Sequence, residues 1–118
     1  MKYVAVIGSR SFNDYVVLCA ALDKLVKSDD VIVSGGARGA DELAERYAKE
    51  HNLQTIIHLP DWKTYGRAAG FVRNKKIVND ADIVIAFHDG FSKGTQNSID
   101  LAKRTNKPTM IIEYGTKM

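Results

Sequence analysis

The apolar positions of the chain follow two alternating rhythms. Short strand-like segments occur at Tyr3 to Gly8, a continuous apolar run, and at Val31 to Ser34, Gln54 to Leu59, Asp82 to Phe87 and Pro108 to Ile112. They are too apolar to face water on either side, which predicts parallel strands buried between two layers. Between them the spacing turns helical. Leu18, Leu22 and Leu25 recur at i, i+4 and i+7, predicting a helix from about Tyr15 to Lys27 behind the cap candidates Asn13 and Asp14. Ala40, Leu43, Ala44, Tyr47 and Ala48 mark the clearest helix, about Gly39 to His51. Its outer face pairs Glu42 with Arg46 and Glu45 with Lys49 in the favourable i, i+4 order.

Pro60 halts the third run, and Asp61 to Gly66 reads as a loop with two large aromatics, Trp62 and Tyr65. A third helix is expected from Arg67 to about Asn79. Its stripe is weak because Arg67, Arg73, Lys75 and Lys76 crowd it, and such local inconsistency is commoner at functional sites. A last helix is expected from about Thr95 to Thr105, and a short polar tail ends at Met118.

Strands alternating with helices imply an α/β protein, a single three-layer α/β/α sandwich over residues 1–118 with a five-stranded parallel sheet. The expected arrangement is Rossmann-like, with the strand order 3-2-1-4-5. Right-handed crossovers place every strand-to-helix loop on one edge of the sheet, and ligands bind there where the strand order reverses. In this order the crevice lies between strands one and four. It is flanked by Ser9 and Arg10, by the segment Gly35 to Asp41, by Asp61 and Trp62, and by Asp89 to Thr95.

The segment Val31 to Asp41 reads as strand, tight glycine turn and helix start. Glycines let backbone approach a ligand closely, and the first N–H groups of a helix have no partner within it, so an anion would gain both hydrogen bonds and the helix dipole. Arg38 would add a clamp. The alternative is a bare turn in which Asp41 accepts N–H bonds of the first helical turn. Neither Gly-x-Gly-x-x-Gly nor Gly-x-x-x-x-Gly-Lys-Ser/Thr occurs here, which argues against an ordinary dinucleotide fold or a Walker-type NTPase.

Composition narrows the field further. The 118 residues are 45% hydrophobic and 26% charged, ordinary for a soluble globule, and no run approaches the roughly 18 apolar residues of a membrane span. A cytoplasmic, non-membrane protein is expected. The net charge of +3 permits an anionic partner without demanding one. Cys19 has no disulfide partner and reads as a small buried hydrophobe; His51, His58 and His88 fall in separate elements, so no metal site and no cofactor are expected.

Five motifs in order carry a resemblance: Ile7-Gly8-Ser9-Arg10; Ser34-Gly35-Gly36-Ala37-Arg38-Gly39-Ala40-Asp41; Pro60-Asp61-Trp62; Ala69-Gly70-Phe71-Val72-Arg73-Asn74; and Asp89-Gly90-Phe91-Ser92-Lys93-Gly94-Thr95. The chain resembles the SLOG superfamily, a Rossmann-like group that includes LOG-type phosphoribohydrolases, known also as lysine-decarboxylase-like proteins, and the DNA-uptake protein DprA. It is most similar to the small YspA-type branch. The resemblance implies a pocket for a nucleotide or an NAD or ADP-ribose derivative. Gly8, Ser9 and Arg10 would form one wall, Gly35 to Gly39 the phosphate seat, and Gly94 with Thr95 a second anion seat, while Arg73 matches a pocket-facing arginine.

The resemblance also implies a homodimer. One departure bears on chemistry. LOG enzymes carry an acidic residue just after the Gly-Thr, where this chain has Gln96, Asn97 and Ser98. The expected function is therefore binding of a phosphorylated nucleotide derivative, by a sensor or sequestering protein. Its expected ligand contacts are Gly8, Ser9, Arg10, Ser34, Gly35, Gly36, Ala37, Arg38, Gly39, Asp41, Trp62, Arg73, Asn74, Asp89, Ser92, Gly94 and Thr95.

Several of these keep a second reading. The alternative for Arg73 is a solvated surface residue, for Asp89 a turn former and for Trp62 a loop anchor. An N-glycosidic nucleotide hydrolase would need Asp41 or Asp89 as its catalytic carboxylate. Weak single-stranded nucleic-acid binding would use Lys63, Arg67, Arg73, Lys75 and Lys76 with Trp62 and Tyr65 between them.

Overall fold

The computed structural model describes residues 1–114; the polar tail expected up to Met118 lies largely outside them. Five parallel strands, β1 (Tyr3–Gly8), β2 (Val31–Ser34), β3 (Gln54–Ile57), β4 (Ile83–His88) and β5 (Thr109–Glu113), form one sheet in the order β3-β2-β1-β4-β5. This is the expected order. Central β1 pairs Ala5 with Val33 of β2 and with Val84 of β4.

Alternation along β1 sorts the core into two halves. Val4 and Val6 point, with Ile32, Ile85 and Phe87, toward Leu18 and Leu22 of α1 (Tyr15–Asp23) and Ala44 and Tyr47 of α2 (Ala40–Glu50). Ala5 and Ile7 point the other way, with Val33, Val84 and Ala86, toward Ile77 and Val78 of α4 (Ala69–Asp80) and Ile99 and Ala102 of α5 (Lys93–Arg104). Each fully buried aliphatic side chain contributes roughly 1.5 to 3 kcal/mol.

Several element ends differ from expectation, each for a local reason. Helix α1 stops at Asp23, short of the expected Lys27, where the Leu25 N–H bonds the Leu22 carbonyl three residues back at 3.0 Å. The loop expected at Asp61 to Gly66 contains a one-turn helix, α3 (Trp62–Tyr65). The Asp61 carboxylate caps it by accepting the Thr64 N–H at 3.0 Å, and Gly66, at φ +55°, ends it. A 3₁₀ turn, Gly66–Ala68, then leads into α4. Helix α5 starts at Lys93, two residues before the expected Thr95, because Ser92 Oγ accepts the Thr95 N–H at 3.2 Å. Strand β3 lies at the sheet edge with Gln54, Thr55 and Ile57 exposed, so it is not covered on both faces as its composition suggested.

Phe12 fixes the loop after β1. Its ring stacks on Phe87 at 4.6 Å and meets the edge of Tyr114 at 4.9 Å, closing the end of the core beneath the crevice.

Candidate functional site

The loops at the carboxyl ends of β1, β2 and β4 and the first turns of α4 and α5 enclose one cavity of about 530 Å³ at the point where the strand order reverses. Its construction starts at β1. Gly8 has no room for a side chain, since a Cβ there would lie 2.6 Å from Ala40 Cβ and 2.8 Å from the Phe87 carbonyl oxygen. The following loop can therefore lie directly on the start of α2. Ser9 accepts the Ala40 N–H at 3.5 Å through its carbonyl, and its hydroxyl accepts the Asp89 N–H at 3.3 Å. One serine thus ties two loops together.

The glycine loop after β2 turns inward. Gly39 has φ +80°, and a Cβ on it would sit 2.4 Å from the Ser9 carbonyl oxygen. Gly35 backs onto the Arg73 side chain, and Gly36 is exposed on the far side against Leu59. Asp41, 6% exposed, accepts the Ala37 N–H at 3.1 Å. Asp41 thus puts a carboxyl group on the cavity side of the first turn of α2, and the protein's own groups take the Ala37 and Ala40 N–H groups.

Asp41 is the unusual group of the cavity floor. Burial drives its pKa up to about 6, against the pull of the Ala37 N–H and the Arg73 charge and with a push from Glu45. Arg73, above it on α4, donates from Nη1 to the Gly35 carbonyl at 2.6 Å and from Nε to Asn74 Oδ1 at 3.1 Å. Burial and the nearby Arg10 lower its pKa while Asp41 opposes this, and a guanidinium stays charged throughout. Arg10 and Arg67 add two more cations to the lining.

The loop after β4 is open. Asp89 Oδ1 accepts the N–H groups of Phe91 (2.8 Å) and Ser92 (2.9 Å), and these bonds, the Phe91 one foremost, hold its pKa below the usual carboxylate range. Ser92 caps α5 at Thr95. The Lys93 and Gly94 N–H groups have no acceptor among the described residues. Of the two, Gly94 lines the cavity, at the N-terminal end of a twelve-residue helix. His88 stands just behind, its Nδ1 accepting the Gly90 N–H and its Nε2 bonded to Gln96 Oε1 at 3.0 Å, so its proton sits on Nε2.

Of the residues singled out from sequence, Gly8, Ser9, Arg10, Ala37, Asp41, Trp62, Arg73, Asn74, Asp89, Ser92, Gly94 and Thr95 all line the cavity. Ser34, Gly35, Gly36, Arg38 and Gly39 do not. Ser34 is buried and donates to Glu45 at 2.9 Å, and Arg38 is exposed. Ile7, Ser11, Arg67, Gly70, Phe71, Ile77 and Ser98 line the cavity and were not among the expected contacts. A signal for most of them exists. Gly70, Arg73, Asn74 and Ile77 fall three and four apart, so the weak amphipathic stripe of α4 is the cavity wall. Ser98 follows Thr95 by three on α5. Among the described residues no His, Cys, Asp and Glu side chains cluster as metal ligands, and no helix is long and apolar enough to cross a membrane.

The strand order, the crevice at its reversal and the helix start facing that crevice define a Rossmann-like α/β protein with a binding site at the carboxyl edge of its sheet. The chain belongs to the YspA, cpYpsA-related SLOG family, whose model matches residues 2–65. It is 36% identical over 126 residues to the Gene 61 protein of Mycobacterium phage D29, covering 99% of both chains. Among solved structures, DNA processing protein A (DprA) of Streptococcus pneumoniae matches with a TM-score of 0.79 at 19% identity, over all of this chain and 52% of that one. DprA of Helicobacter pylori, described for its single-stranded DNA binding mode, matches with a TM-score of 0.74 at 24% identity, over 99% of this chain and 66% of that one. At these identities the DprA likeness establishes the fold, and the chain spans about half to two thirds of the DprA chains.

Proposed function

We propose that the protein binds a phosphorylated nucleotide or an NAD- or ADP-ribose-derived small molecule in this cavity, as a sensor or sequestering protein. The observation that carries the reading is the pairing of an open helix start with Arg73 in one cavity of about 530 Å³, within the usual range for small-molecule sites. The phosphate would lie against the Lys93 and Gly94 N–H groups within reach of the arginines. The base would meet Trp62 and Phe71 at the mouth, 55% and 47% exposed and free to stack. Titration calorimetry with nucleoside monophosphates, NAD and ADP-ribose tests this. Binding of at least one of them, weakened by Arg73→Ala, is the expected result, and no heat from any would refute it.

Two other activities are checked by the same material. Asp41, titrating near pH 6 at the cavity floor, is in the range where a carboxyl exchanges protons with a substrate. Chromatography of the calorimetry samples reveals an N-glycosidic hydrolase if free base appears, and slower release by Asp41→Asn would assign the carboxyl. Trp62, Tyr65 and Phe71 form an exposed aromatic rim beside Lys63, Arg67, Lys75 and Lys76, the composition that stacks and neutralises a single strand. With three or four phosphate contacts such binding would be weak and fade steeply with salt. Anisotropy with a labelled oligonucleotide at two salt concentrations measures it.

A further inference from the structure

Glycine inside a helix calls for a reason, because it gives up side-chain packing and costs backbone entropy. Gly36, Gly39, Gly66 and Gly90 have positive φ, and Gly8 and Gly35 are wedged against neighbours, so the fold accounts for them. Gly70 and Gly94 are different. Each lies in the first turn of a helix with φ outside the left-handed region, and a Cβ built on either meets no atom within 4 Å. Alanine would fit both positions and is the better helix former. The fold supplies no reason for glycine, and a broken local rule of this kind points to function.

Both glycines line the cavity. Gly70 precedes Asn74 by one helical turn and shares its face of α4. Asn74 in turn donates from Nδ2 to the Gly94 carbonyl at 3.4 Å, tying α4 to the start of α5. The space left by Gly70 therefore opens one turn above that link, between the open start of α5 and the aromatic mouth formed by Trp62 and Phe71.

We infer that Gly70 is a specificity-determining residue whose missing side chain makes room for the sugar of a nucleotide with its phosphate at the start of α5. The inference rests on the nucleotide-binding reading above and adds where the sugar passes. A ligand with no sugar does not use this space.

Calorimetry and thermal melting of wild type and Gly70→Ala, with ADP-ribose and inorganic pyrophosphate as probes, test it. The variant is expected to melt at or slightly above the wild-type temperature and to bind ADP-ribose roughly tenfold or more weakly. Pyrophosphate, which has no sugar, should bind both proteins equally. A variant that melts several degrees lower shows that the glycine serves the fold and overturns the inference. Unchanged ADP-ribose affinity overturns it too, as does a parallel loss of pyrophosphate. Wild type that binds neither probe sinks the nucleotide reading itself, whereas wild-type binding with an indifferent variant sinks only the role of Gly70.

Discussion

Two glycine loops face each other across the crevice, and they are put to opposite use. Each follows a central strand and feeds a helix. The loop after β2 is folded in on itself: Gly39 lies under the Ser9 carbonyl, Gly35 under Arg73, and the Asp41 carboxylate takes the Ala37 N–H. The loop after β4 closes its own turn with Asp89 and Ser92, and Gly94 lines the cavity with an N–H that has no acceptor among the described residues. Glycine density alone therefore does not separate the two loops. A carboxyl group, that of Asp41, lines the cavity at the first turn of α2, and none does at the first turn of α5.

Substitutions of one glycine in each loop separate the two uses. The largest effect is expected at Gly39→Ala, where positive φ and a carbonyl oxygen 2.4 Å from the new Cβ act together. A loss on the order of 3 kcal/mol or more is expected in urea unfolding. Gly94→Ala should stay within about 0.5 kcal/mol of wild type in the same measurement. Equal losses at both positions would erase the distinction.

Next in size is the carboxylate that fills the first loop. The folded-state pKa of Asp41, about 6, lies above its ordinary 3.8, so folding favours the protonated acid. Its contribution is fully present below pH 4 and is lost as pH rises through 6, a change on the order of 3 kcal/mol. Unfolding curves of wild type and Asp41→Asn from pH 4 to 7.5 isolate it. The wild type should lose stability relative to the variant across that window, and a difference independent of pH would contradict the assignment.

The two arginines extend the comparison to binding. Arg73→Ala removes a cation from the cavity wall and should weaken ADP-ribose roughly tenfold to a hundredfold in calorimetry. Arg38→Ala is the smallest effect. Its side chain is exposed and does not line the cavity, so affinity should change less than about twofold. A large loss at Arg38 with none at Arg73 would reverse the roles of the loops.

These contrasts also mark what the chain reveals of itself. The parallel three-layer sheet was legible because β-branched runs alternate with helical periods and crossovers are right-handed, although these rules alone do not separate 2-1-3-4-5 from the order 3-2-1-4-5. The position of the crevice followed from that order, and with it Ser9, Arg10, Asp89 and Thr95. The direction in which the β2 loop turns was not legible. It depends on Gly8 letting the β1 loop settle on Ala40, a contact between residues 32 positions apart. The α4 wall was legible in part. The crowded stripe marked this helix as a functional surface and put Arg73 and Asn74 in the site, while Gly70 and Ile77 on the same face carry no polar group to point to it. The exposure of β3 had a signal in Gln54 and Thr55, which open a strand that Ile56 and Ile57 make look buried.

The central claim is that the start of α5, and not the start of α2, receives the anion. Amide chemical shifts of the labelled protein, followed during titration with ADP-ribose, test it most directly. The account predicts that the largest perturbations fall on Lys93, Gly94 and Thr95 while those of Gly35 to Gly39 stay small. Perturbations centred on Gly35 to Gly39, with α5 unmoved, would contradict it.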